Sequence, residues 1–72
     1  MEILEWLRQE LDCKYISDLH YGTINRLAKS VIRNAELSHY TLSELSDAAS
    51  YLYDCNVKFE TVGEARLFFE GN

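Results

Sequence analysis

Four side chains in this 72-residue sequence are of the types that hold a transition metal: Cys13, His20, His39 and Cys55. Together they would suit a tetrahedral zinc ion. Zinc modules, however, clamp the metal with closely spaced ligand pairs, and none of these four forms one. No metal is expected. A nucleophilic cysteine would need a base or cation beside it to draw off its proton, and Lys14 next to Cys13 is the only hint of one. The sequence has no glycine-rich phosphate loop, no paired helical metal ligands and no nucleophile elbow. A chain this short also encloses a useful pocket poorly. The expectation is a protein with no catalytic activity and no cofactor. Cys13 and Cys55 read as free thiols of a reducing compartment, and the histidines as loop residues.

Charge is the more informative chemistry. Twelve acids against seven bases give a net charge of −5, which repels phosphate backbones and anionic lipid headgroups. The charges are also segregated along the chain. Residues 19–35 hold Arg26, Lys29 and Arg33 and no acid, whereas Glu44, Asp47, Tyr51 and Asp54 fall on one stripe further on. Such stripes could pair across helices inside the chain. Alternatively they could dock on a partner, because opposed charge mainly sets partner choice and association rate. Among the aromatic residues, Tyr51 is expected to point away from Leu45 and Leu52, flanked by Asp47 and Asp54. Trp6 falls about 105° from the centre of its apolar face, at a rim where a ring can be half buried and half available. Tyr21 and Tyr40 are expected to close over the ends of the core.

These side chains are positioned by helices whose signals are local. Thr41 and Glu44 have capping-box spacing, and Leu42, Leu45, Ala48, Ala49, Leu52 and Tyr53 line one side of the helix they open, over 41–54. Its alanines admit close neighbours, so this helix is placed at the centre, between two others. Residues 2–12 form an earlier helix on Ile3, Leu4, Leu7 and Leu11. A turn over 18–22 leads into the second, whose stripe of Ile24, Leu27, Ala28, Val31, Ile32 and Ala35 must be buried. Residues 36–40 are a connector without a periodic stripe. Asn56 is a candidate left-handed cap, and Thr61 with Glu64 repeats the capping-box spacing to open a short last helix through Phe69.

Asp12, Cys13, Lys14 and Tyr15 are echoed by Asp54, Cys55, Lys58 and Phe59, two helix exits each followed by an extended aromatic stretch. The echo admits an alternative in which 14–16 and 57–59 pair as short strands, although so small a pair is marginal on its own.

The fold class expected is mainly α, one small domain of three to four bundled helices. The amino-terminal residues carry glutamates where a secretory signal carries lysines, and no apolar run approaches the ~20 residues that span a bilayer, so a cytoplasmic protein without membrane contact is expected. The functional expectation is a small acidic protein-interaction module, an adaptor, inhibitor or regulator. It would use Glu44, Asp47, Tyr51 and Asp54, with Trp6 as a second anchor, on another protein or on a second copy. The first alternative is a DNA-binding regulator working through Arg26, Lys29 and Arg33. The second is an acidic DNA mimic that occupies a nucleic-acid-binding protein. The wrong charge surrounds helix two for the first of these, and its helix-turn-helix spacing is too long.

Overall fold

Glu2 starts the first helix, its carboxylate accepting from the amides of Leu4 and Glu5 at 3.2 and 3.3 Å. In the computed structural model, which describes residues 2–71, four α-helices follow in order: α1 (Ile3–Glu10), α2 (Gly22–Arg33), α3 (Leu42–Tyr53) and α4 (Val62–Gly71). Two short 3-10 helices, Ile16–His20 and Leu37–His39, fill connections that have no periodic stripe in the sequence. The fold is a small mainly-α bundle, and among the described residues there is no strand.

α3 sits at the centre, in contact with α1, α2 and α4. Its Leu45, Ala48 and Ala49 are fully excluded from solvent, and the alanines allow the close approach that larger side chains would block. Around them pack Ile3 and Leu7 from α1, Ala28 and Ile32 from α2, and Ala65 and Phe69 from α4. Leu37 is completely buried too, although nothing periodic marks it. Each buried leucine or phenylalanine contributes about 1.5–3 kcal/mol.

The caps account for the helix boundaries. Thr41 Oγ1 accepts from Glu44 N at 3.1 Å, and Glu44 returns the contact to Thr41 N at 3.0 Å, closing the capping box. Thr61 Oγ1 does the same for Glu64 N at 3.1 Å. α1 and α3 both exit through a left-handed aspartate, Asp12 at φ 53° and Asp54 at φ 51°. In each exit the following cysteine amide reaches back five residues, Cys13 to Arg8 O and Cys55 to Ser50 O. This is the bond of a Schellman exit. The echo between the two segments is therefore a shared helix exit, and Asp54 occupies the left-handed position expected of Asn56.

Four further expectations are corrected. The pairing of 14–16 with 57–59 does not form, because each segment finds a nearer partner. Tyr15 caps the first 3-10 helix, which begins at Ile16, while 57–59 lies on α3 and bonds to serine side chains there. The 18–22 turn is mostly that 3-10 helix, and α2 begins at Gly22, whose φ of 57° suits glycine. Leu27 is 47% exposed: it lies about 120° from the line between Ala28 and Ile32 that the core covers. Tyr21, 69% exposed, does not close over the core, whereas Tyr40 packs against it.

Candidate functional site

Two serines, Ser46 and Ser50, sit one turn apart on α3 and hold the extended residues after its exit. Ser50 Oγ accepts from Val57 N at 3.2 Å and donates to Val57 O at 3.3 Å. Ser46 Oγ accepts from Phe59 N at 2.9 Å and donates to Leu42 O at 2.8 Å, so one buried hydroxyl satisfies both a helix carbonyl and an amide of the extended segment. The segment thus runs back along α3, burying Phe59 while Lys58 stays exposed. Between them lies an open groove of about 420 Å³, lined on the helix side by Leu42, Ser43, Ser46, Asp47 and Ser50 and on the other by residues 56–59.

The acidic stripe divides in the structure. Asp47 is exposed on the groove wall, and Asp54 is exposed at the exit of α3. Glu44 is partly buried and spends its carboxylate on the capping box. Tyr51 does not project freely. Its ring packs on His20 with centroids 5.1 Å apart, and its carbonyl meets His20 Nδ1 at 2.9 Å. Asn25 Nδ2 takes the next carbonyl, Leu52 O, at 3.0 Å and also reaches Leu19 O at 2.8 Å. The end of α3 is therefore tied to α2 and the first 3-10 helix, and Tyr51 belongs to that tie. Trp6 lies at the rim as its register predicts, partly buried and tilted against Tyr40 at 6.2 Å. Burial pushes the Tyr40 phenol up, and the Glu44 charge adds to the shift.

The basic stripe of α2 is largely engaged by the chain itself. Lys29 Nζ stands over the Tyr53 ring, 4.4 Å from its centroid, and Arg33 Nε donates to Phe69 O at 3.2 Å. Arg26 is exposed and makes no comparable contact among the described residues. Burial pushes the Tyr53 phenol up as well, with the Arg33 charge pulling against it. Elsewhere Arg8 donates to Glu5 and, at 2.9 Å, to Cys13 O, and that guanidinium holds the Glu5 carboxyl below its usual value. Arg66 bonds Ala35 O at 3.0 Å.

These contacts leave an unbalanced surface. The Glu5–Arg8 contact is the single ion pair among the described residues, so the complementary stripes do not pair across helices. Most of the bases are spent on carbonyls and rings, while the side-chain carboxylates of Glu10, Asp12, Asp47, Asp54, Glu60, Glu64 and Glu70 are exposed and none of them accepts a hydrogen bond from, or forms an ion pair with, another described residue.

The described residues contain no group of three or more side chains placed to hold a metal ion. No described helix is long and apolar enough to cross a membrane. The groove and its serines were missed by sequence reasoning, although the spacing of Ser43, Ser46 and Ser50 in a helix interior was a signal: serine there competes with the helix for backbone groups. Comparison with protein-family models, with curated proteins and with solved structures gives no match.

Proposed function

We propose that the chain is a small, non-catalytic protein-interaction module that docks its acidic surface on a basic patch of another protein. The observation that carries this reading is the set of exposed carboxylates without partners, beside bases that are mostly occupied within the chain. Opposed charge across an interface raises the association rate and selects the partner. A second copy offers little free positive charge, which favours a different protein over a homodimer. Nucleic-acid-binding proteins are one class with a suitable patch, and the DNA-mimic reading falls within the proposal. Direct DNA binding through Arg26, Lys29 and Arg33 is disfavoured, because Lys29 and Arg33 already have partners and the net charge is −5.

The test is capture from nuclease-treated lysate of the source cell, with the tagged full chain and its Asp47→Lys/Asp54→Lys variant. The reading expects a protein retained by the first and lost by the second at equal melting temperature. Equal recovery on both, or binding that nuclease removes, would overturn it.

A further inference from the structure

Two tyrosines of this chain already carry a cation: Lys14 Nζ stands 5.5 Å from the centre of the Tyr15 ring, and Lys29 Nζ 4.4 Å from that of Tyr53. Among the described residues no cation stands over Tyr21 or Tyr51, and Arg26, the base nearest Tyr21 along the chain, covers neither ring. Tyr21 is nonetheless held in place while 69% exposed. Its amide donates to Asp18 O, its carbonyl accepts from Asn25 N, and its ring meets that of His20 at 83° with centroids 5.0 Å apart. His20 in turn packs on Tyr51 and donates through Nδ1 to the Tyr51 carbonyl. The rings are thus in contact in the order Tyr21, His20, Tyr51. One turn before Tyr51 on α3, on the same side of that helix, stands the exposed carboxylate of Asp47, which has no ion-pair partner among the described residues.

We infer that Tyr21 is the aromatic anchor of the docking surface and takes an arginine side chain of the partner, its guanidinium stacked on the exposed ring, with further basic groups of the same patch facing Asp47. The inference rests on the interaction reading above and adds which side chain of the partner is recognised and where. A ring fixed before binding loses little freedom on contact, and tyrosine and arginine are the residues that dominate interface energetics. Arginine is the complement because its guanidinium is planar, stacks on an aromatic face and is more weakly hydrated than an ammonium. The net charge of −5 draws the cation to this surface.

The test compares acetylated, amidated hexa-arginine and hexa-lysine, equal in length and charge, for binding to the full chain by fluorescence anisotropy. The variants are Tyr21→Phe, which keeps the ring, Tyr21→Leu, which keeps only apolar bulk, and Asp47→Asn. Wild type should prefer the arginine peptide by roughly three- to fivefold. That preference should persist on Tyr21→Phe and vanish on Tyr21→Leu, whereas Asp47→Asn should weaken both peptides. On wild type the arginine peptide should also shift the ring-proton resonances of Tyr21 and leave those of Tyr53, already under Lys29, in place; this readout needs no variant to fold. Equal affinity of wild type for the two peptides, a preference that survives Tyr21→Leu, unmoved Tyr21 resonances, or binding of neither peptide would overturn the inference. If Asp47→Asn weakens both peptides while Tyr21→Leu changes neither, the acidic-surface reading stands and the arginine anchor falls.

Discussion

Arg33 and Arg66 cap each other's helices. Arg33, the last residue of α2, donates through Nε to Phe69 O near the end of α4 at 3.2 Å, and Arg66 of α4 donates back to Arg33 O at 3.4 Å and Ala35 O at 3.0 Å. The last carbonyls of a helix lack intrahelical donors and carry its negative dipole end, so a guanidinium satisfies both deficits at once. Because each arginine serves the other helix, the pair fixes how α2 and α4 meet. Arg33→Met and Arg66→Met, which keep the aliphatic stem, should each cost about 1 kcal/mol in urea denaturation. Loss of less than a few tenths in both would show that water replaces the guanidinium without cost.

The serine contacts should differ in worth. Ser46→Ala strands a buried Phe59 amide and should cost about 1–3 kcal/mol. Ser50→Ala removes two longer bonds in a partly buried setting and should cost less, about 1 kcal/mol. Equal melting temperatures for the two variants would contradict the arrangement of the segment on α3.

Asp12 and Asp54 hold left-handed backbone at φ 53° and 51°, which glycine adopts without steric penalty. Asp12→Gly and Asp54→Gly should therefore each stabilise the fold by about 0.5–1 kcal/mol, raising the melting temperature of a domain of this size by a few degrees. A fall in both would mean that the aspartate side chains contribute more than their backbone strain costs.

The two thiols should react at different rates. Cys13 is 8% exposed, and burial pushes its thiol up from the ordinary value, with Asp18 adding to the shift, whereas Cys55 is exposed. The thiolate is the reactive form, so at pH 8 an aromatic disulfide reagent should label one thiol quickly and the second only on unfolding. Fast labelling of both in the native protein would contradict the packing at Cys13.

Much of the fold was legible where a signal is local. The capping box at Thr41, the cap at Thr61, the alanine pair on α3 and the Ile3–Leu7 stripe each need only their own helix to be read. Leu27, Leu37 and Tyr51 were misread or unmarked because their burial depends on neighbours from distant sequence. Leu27 lies on the side no helix covers, and Tyr51 meets His20 from the other side of α2 in sequence. The charge asymmetry was visible in composition, but its meaning was not: that Lys29 and Arg33 serve a ring and a carbonyl follows only from how α2 meets α3 and α4. The serines of α3 were written at helical spacing, yet their partner, residues 57–59, read as a strand in search of another strand.

The most direct measurement of the central claim is the affinity of the captured partner for wild type and for Asp47→Lys, each at low and moderate salt. The account predicts that wild-type binding weakens as salt screens the carboxylates, and that Asp47→Lys loses at least tenfold at low salt. Affinities that are the same for both proteins and insensitive to salt would contradict it.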